Sequence, residues 1–308
     1  MKWENLGLLY KPESNYDWMT SHASLPTALQ INQHSFRIFY STRDFYGKSH
    51  TTFVDLNFKK WEPGLLLENN NKQPSFSPNT LGYFDDSGVQ VTSFIKVGEI
   101  LYAYYLGWTR KIDVPFSAEI GIAIVDNKFN FKRIQKLPIY KKSEIEPFTF
   151  GYPTIFKRNK KLFMYYDSID KFDCNNLNNY KFDLRCAEIK NGNWVYCDKI
   201  LLENNNKTKP KAKAFTRPAF ISTRNRTTMI YSYNINGNYK LKAAYQDHND
   251  KHKWIIDKNF LFKSSGQDWD SEAQVFCNIF NYDNDYYMLY NGNNYGKTGF
   301  GIAKLTYK

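Results

Sequence analysis

Arg37-Ile38-Phe39-Tyr40-Ser41 is a short apolar and aromatic run that recurs four more times along the chain. The later copies read Leu101-Tyr102-Ala103-Tyr104-Tyr105, Leu162-Phe163-Met164-Tyr165-Tyr166, Thr228-Met229-Ile230-Tyr231-Ser232 and Tyr287-Met288-Leu289-Tyr290-Asn291. Runs of this length, rich in aromatic and β-branched residues, read as half-buried strands. Ahead of each lies a segment with its own apolar run: Ser21 to Pro26, Asp86 to Val91, Phe148 to Pro153, Ala214 to Pro218 and Ser271 to Val275. After each comes a run of small and β-branched residues, at Thr52-Phe53-Val54, Ile120 to Ala123, Arg185-Cys186-Ala187, Leu241 to Ala244 and Phe300 to Ala303. Aligned on Pro26, Val91, Pro153, Pro218 and Cys277, the copies stand 65, 62, 65 and 59 residues apart.

A fourth strand is expected near Trp61, Phe131, Trp194 and Trp254 in the first four copies. The similar links Leu66 to Lys72 and Leu201 to Lys207 reinforce the period. Four short antiparallel strands repeated radially describe an all-β, five-bladed β-propeller. The expected blades cover about 18–62, 84–133, 147–197, 214–257 and 270–308, one domain over 1–308. The fifth copy has three strands only, and Trp3 to Tyr10 is expected to supply its outer strand, closing the ring and covering an open edge.

Composition agrees with that plan. The 308 residues include 24 Tyr and 24 Phe, and 42 % are apolar, enough for a core and too many for wholesale disorder. No stretch approaches the length of a membrane-spanning helix. Leu6 to Tyr10 is too short an apolar run for a signal peptide, so a cytoplasmic location is expected. Cys174, Cys186, Cys197 and Cys277 form no C-x-x-C pair, although Cys186 and Cys197 could face each other across a hairpin. The formal charge of +12 fits either a biased composition or an anionic partner, such as a phosphorylated or acidic sugar or nucleic acid, and charge alone does not choose between them.

Entry loops of inner strands line one mouth of a propeller. There the sequence places His22, Asp85, Asp86, Glu146, Arg217, Asp270 and Glu272. The ends of the second strands add Arg43, Asp44, Trp108, Asp167, Tyr233, Asn291 and Asn293. Carboxylates, arginines and aromatic faces together suit a sugar ligand. They also suit glycosidic cleavage, in which a protonated carboxylic acid works opposite an ionised carboxylate. Asp86, Glu146, Glu272 and His22 are the candidate catalytic residues. Arg43, Asp44, Asp85, Trp108, Arg217, Asp270, Asn291, Asn293 and Lys297 are the candidate ligand-binding residues. Each acid has an equally simple structural reading as a turn cap.

The motifs Ser-His-Ala-x-x-Pro-Thr at 21–27, Ser-Thr-Arg-Asp at 41–44, Phe-Asp-Asp-Ser-Gly-Val at 84–89, Gly-Trp at 107–108, Glu-Pro at 146–147, Arg-Pro at 217–218, Trp-Asp-Ser-Glu at 269–272 and the Tyr-Asn-Gly-Asn run from 290 span nearly the whole chain. Together they resemble a group of uncharacterised bacterial proteins described as predicted glycosylases of surface-polysaccharide loci. That group is similar to glycoside hydrolase families 43 and 32, the five-bladed furanosidase-type propellers. The resemblance implies an Asp base or nucleophile in the first blade, an orienting Asp in the second and a Glu acid in a later one. Asp86 matches the second role, and Glu146 stands just before the third inner strand. The first-blade place holds His22, a departure from the furanosidase pattern.

Other motifs carry less. Gly292 to Thr298 is one residue short of a phosphate-binding loop and precedes a strand-like run, so it reads as a hairpin near which Lys297 could meet an anion. His248 and His252 lie in a polar loop without the context of a zinc site, and the Lys207–Lys213 run reads as a solvated loop. No cofactor is expected beyond a possible central cation, and the aromatic and basic residues do not alternate as in a nucleic-acid binder. The expected activity is therefore that of a glycoside hydrolase-like protein on an anionic sugar. The alternatives are a non-hydrolytic glycan or nucleotide-sugar binding module, or a transferase, of polysaccharide biosynthesis.

Overall fold

The structure is a computed structural model that describes residues 1–158, 160–173, 176–200, 202, 214–235, 237–247 and 254–307. The Lys207–Lys213 run, the His248/His252 pair, Cys174 and most of the second Asn-rich link lie outside the described residues.

Nearly all regular structure is β. After β1 (Lys2–Tyr10), a first unit contains β2 (Ser21–Asn32), β3 (Ser35–Arg43) and β4 (Ser49–Asn57). The second contains β5 (Gly88–Val97), β6 (Ile100–Arg110), β7 (Phe116–Val125) and β8 (Phe131–Arg133). The third has β9 (Phe150–Arg158), β10 (Lys161–Asp173), β11 (Asn176–Lys190) and β12 (Asn193–Lys199). The fourth has β13 (Ala214–Ser222), β14 (Arg226–Ile235), β15 (Asn238–Asp247) and β16 (Ile255–Ile256). A last unit holds β17 (Val275–Tyr282), β18 (Asp285–Asn291) and β19 (Phe300–Tyr307). Strands within a unit pair antiparallel in chain order. Single parallel bridges, Ser49 with Gly88 and Phe182 with Ala214, link the first unit to the second and the third to the fourth.

β1 lies antiparallel on β19, with Trp3 opposite Leu305 and Asn5 opposite Ala303, so it covers the outer edge of the last unit. The fourth strand expected near Trp61 is absent. Pro63 lacks a donor and Gly64 takes a positive φ of 94°, so the chain turns there, and the Trp61 indole donates to the Leu65 carbonyl. Phe76 instead returns to the free edge of β4 through one antiparallel bridge with Thr51.

The core is divided among faces between neighbouring units, because each sheet is apolar on both sides. Ile38, Tyr40 and Val54 of the first unit pack on Leu289, Phe300 and Ile302 of the last. Ile230 and Ala243 meet Met288 and Tyr290, while Tyr165 and Leu184 meet Met229 and Tyr231. Ile120 packs with Met164 and Tyr166, and Phe39 stacks obliquely on Phe94 at 5.1 Å. The first strands β2, β5, β9, β13 and β17 touch in that order, and β17 touches β2.

Candidate functional site

Each first strand is interrupted by a bulge at the same place. Pairing slips between Ser24 and Thr27, between Val91 and Ser93, opposite Tyr165/Asp167 in β9, between Thr216 and Ala219, and between Val275 and Asn278. In four of the five the backbone enters the left-handed region, at Leu25 (φ 59°), Tyr152 (47°), Arg217 (39°) and Phe276 (60°). Three of these residues precede proline, which makes that conformation still less favourable. Strain of this kind persists only where surrounding structure enforces it, and bulges re-aim side chains. Here the result is that Leu25, Tyr152 and Phe276, with Gln90 from the second unit and Thr216 from the fourth, face one cavity of about 490 Å³.

Aromatic rings form one wall of this cavity. Tyr152 lies 4.9 Å from Phe276, Phe276 lies 6.2 Å from Tyr295, and Tyr295 lies 5.7 Å from Tyr239. Phe116, Phe182 and Trp108 contribute further rings. Gly88 makes room for the Trp108 indole, since a Cβ there would stand 2.0 Å from Nε1. That Nε1 donates to Ser49 Oγ at 3.2 Å. The charged lining is cationic: Arg43, Arg110 and Lys111. The Arg110 guanidinium is 5.7 Å from the Trp108 ring centre and donates to the Tyr46 carbonyl, which fixes its direction. Among the described residues, no Asp, Glu or His lines the cavity.

Just behind the wall, Asp167 is fully buried. Its Oδ1 accepts the Arg217 backbone N–H at 3.2 Å, and the Thr216 hydroxyl stands beside the carboxyl. Burial pushes this carboxyl well above the ordinary carboxylate range, against the opposing pull of Thr216 and Arg217.

Of the residues singled out in the sequence, Arg43 and Trp108 line the cavity. His22 stands close to Arg43 and Lys297, with a positive φ of 66° and Nδ1 2.9 Å from Ser21 Oγ. Burial first, then those two cations, push its imidazole down to about 4, so it is neutral at pH 7. Arg217 lies beneath the cavity, bonded to backbone carbonyls of two other units, and burial lowers its guanidinium to about 10.

The remaining polar candidates are bound into the framework. Asp85 is buried against Arg133 at 2.7 Å and accepts the Tyr105 hydroxyl at 3.2 Å. Asp86 accepts the Gly82 N–H and the Ser87 hydroxyl, both at 2.9 Å. Burial works upward on the Asp86 carboxyl, but the combined hydrogen bonds and Lys48 hold it below its ordinary value. Glu146 accepts the hydroxyls of Tyr140 and Tyr166 and lies 3.6 Å from the Arg185 guanidinium. Asp44 caps its turn through the Lys48 N–H at 2.7 Å and meets His50 at 3.3 Å.

Asp270 takes the Ser265 N–H and the Tyr290 hydroxyl, both at 2.8 Å. Asn291 pins the bulge of the first unit by accepting the Leu25 N–H and donating to the Ala23 carbonyl. Asn293 accepts the N–H groups of Glu272 and Ala273. The Glu272 and Lys297 side chains are exposed outside the cavity lining. Among the described residues, no group of three or more His, Cys, Asp and Glu gathers as a metal site.

Sequence reasoning passed over Arg110, Lys111 and the rings of Tyr152, Tyr239, Phe276 and Tyr295. A signal was present: the alignment column just before Pro26, Val91, Pro153, Pro218 and Cys277 reads Leu25, Gln90, Tyr152, Arg217 and Phe276. That column is the bulge, and four of its five members line the cavity.

No family model matches the chain. Two uncharacterised proteins of Mycobacterium tuberculosis are each 28 % identical over 309 residues, covering 99 % of both chains. Among solved structures, a glycoside hydrolase superposes with a TM-score of 0.72 at 12 % identity, over 99 % of this chain and 92 % of its own. An alpha-L-arabinofuranosidase from Lactobacillus brevis gives 0.67 at 11 % identity, over 93 % and 91 %. A sucrose-6-phosphate hydrolase from Lactobacillus gasseri gives 0.63 at 13 % identity, over 96 % of this chain and 62 % of its own. At these identities the likeness is one of architecture, and the architecture is that of glycoside hydrolases of the furanosidase type.

Proposed function

We propose that this protein recognises an anionic saccharide in the cavity where the five first strands meet. The observation that carries the reading is the lining itself: Arg43, Arg110 and Lys111 as its charged members among the described residues, beside a wall of aromatic rings. Aromatic faces hold the C–H surface of a sugar ring, and guanidinium groups take a carboxylate or phosphate in a forked, charge-assisted contact. The cavity volume lies in the range that encloses a small ligand. One structural neighbour is named for a phosphorylated sugar, which agrees with this choice. The five units are read as blades of one propeller over 1–308, supported by the cyclic order of first-strand contacts and by β1 on β19.

The architecture supports a glycosidase-like reading, whereas the lining, which among the described residues holds no pair of carboxylates of the kind glycosidic cleavage employs, favours binding without cleavage. One residue favours a hydrolytic reading: Asp167, a buried carboxyl behind Thr216 whose pKa burial raises. A panel of acidic and neutral glycans incubated with the protein separates the two. Retention of acidic members, lost in Arg43→Ala, with no product formed supports recognition. Product formed by the parent protein and abolished in Asp167→Asn supports hydrolysis. No retention and no turnover of any acidic glycan contradicts both.

A further inference from the structure

β12 is the outer strand of the third unit, and its pairing with β11 slips once. Cys186 stands opposite Asp198 and Ala187 opposite Tyr196, which leaves Cys197 as the extra residue of a bulge. In an unbroken ladder the neighbour of Asp198 would turn to the other face of the sheet. The bulge instead sets Cys197 and Asp198 together against Cys186, and the two sulfurs share a hydrogen bond. Opposed residues of an antiparallel pair stand about 5 Å apart at Cα, within the span that a disulfide bridges. The surroundings of the two thiols differ. Cys186 is buried among Tyr165, Leu184 and Trp254, and the Tyr165 hydroxyl donates to its sulfur. Cys197 is exposed, with Lys190 and Glu188 beside it. The bond from Cys186 lowers Cys197 to about 7, and the same bond, with burial, pushes the Cys186 thiol up. Solvent therefore reaches the sulfur that ionises, while the one behind it keeps its proton.

We propose that Cys197 and Cys186 form an oxidation site, at which a hydroperoxide converts the two thiols into a disulfide tying β12 to β11. The Cys197 thiolate attacks one peroxide oxygen: an S–O bond forms, the O–O bond breaks, hydroxide leaves, and the sulfur becomes a sulfenic acid. Cys186 then attacks that sulfur: the S–S bond forms, the S–O bond breaks, and the departing hydroxide takes the Cys186 proton as water. Counting the proton that Cys197 shed, two thiols give two electrons to one hydrogen peroxide, and two waters result. Cys277 shares none of this. It is buried, and its thiol donates to the Arg217 and Ile230 carbonyls. The bridge acts locally, because it closes a hairpin rather than a long loop. Its effect is to hold the outer strand of the third unit on the sheet, whatever the cavity binds.

The test treats the reduced full chain with a small excess of hydrogen peroxide, blocks remaining thiols with N-ethylmaleimide, and maps peptides by mass spectrometry without reduction. The expected product is a monomer lighter by two hydrogens, with one cross-linked peptide pair carrying Cys186 and Cys197 and with Cys277 alkylated only on unfolding. Dithiothreitol should restore the starting mass. Amide exchange across Asn193–Lys199 should slow by about threefold or more in the bridged protein. Cys197→Ser, a change at an exposed position, should give no bridge and no sulfenic acid. Cys186→Ser should stop at a sulfenic acid on Cys197 that dimedone traps. Oxidation of Cys197 in the parent protein to a sulfinic acid, with Cys186 left as the thiol, overturns the inference. So does a bridge from either residue to Cys174 or Cys277, a dimer joined through Cys197, or a chain that hydrogen peroxide leaves unchanged.

Discussion

The Arg217 guanidinium donates to the Pro26 carbonyl at 2.9 Å, joining the fourth unit to the first across 191 residues of sequence. The same side chain donates to the Phe276 carbonyl of the last unit at 3.0 Å and to Thr27 Oγ1 at 2.5 Å. It therefore bonds to two of the bulged strands besides its own. A cation this deeply buried is tolerated because its donors are occupied. Arg217→Met should lower stability by about 3 kcal/mol or more, since three buried acceptors lose their donor together. Urea unfolding followed by tryptophan fluorescence gives the number.

Glu146 should behave as a framework residue. Its oxygens take the Tyr140 and Tyr166 hydroxyls, and burial with the nearby carboxylate raises both phenols above their ordinary range. Glu146→Ala is expected to cost about 3 kcal/mol, and Glu146→Gln, which keeps one acceptor, about half of that. Thermal melting with ligand titration on whatever folded protein remains checks both the loss and the absence of a direct binding effect.

The imidazole of His22 stays neutral down to about pH 4, below the ordinary value of 6.5. The unfolded chain then binds the proton more readily than the folded one, so this group removes stability as pH falls from about 6.5 toward 4 and contributes nothing above that window. Burial is the main cause of the low value, and an anion placed between Arg43 and Lys297 cancels the repulsion that adds to it, so ligand binding should raise the pKa. Proton NMR titration of the His22 ring with and without ligand should show an upward displacement. An unchanged midpoint with the cavity filled would place the anion elsewhere.

Among the described cysteines, Cys197 is exposed whereas Cys186 and Cys277 are buried. The neighbouring Cys186 thiol lowers Cys197 to about 7, while burial raises Cys277 to about 12. β11 and β12 explain the proximity: Cys186 pairs with Asp198 and Ala187 with Tyr196, so Cys197 is the extra residue of a bulge beside Cys186. Iodoacetamide at pH 7.5, mapped by mass spectrometry, should label Cys197 first, at a rate that rises through pH 7.

Gly88→Ala should disturb the cavity without touching its charges. The added Cβ would stand 2.0 Å from the Trp108 Nε1 and 2.7 Å from the Ser49 Cβ, so the indole or its neighbour must shift. Affinity for an acidic sugar is expected to fall about tenfold, with a blue or red displacement of tryptophan emission reporting the movement of the ring.

The strand pattern was legible because the aromatic runs at 37–41, 101–105, 162–166, 228–232 and 287–291 fall in β3, β6, β10, β14 and β18. The pairing of β1 with β19 was legible from a three-strand last unit. The Trp61 strand was not, because Pro63 and Gly64 outweigh the apolar residues around them. The surroundings of the acids were not legible for a related reason. Charge at strand starts marks both turn caps and cavities, and Asp85, Asp86, Glu146 and Asp270 each find donors within a few residues or on the next strand. Arg110 and Lys111 were overlooked since surface-type cations carry no pattern until the fold shows what they face.

The most direct measurement is an isothermal titration comparing an acidic sugar with its neutral counterpart, galacturonate against galactose, on the parent protein and on Arg43→Ala/Arg110→Ala. The account predicts at least tenfold tighter binding of the acid by the parent, a difference that shrinks with added salt and disappears in the double variant. Equal affinity for the two sugars, or an acid preference that survives the loss of both arginines, would contradict it.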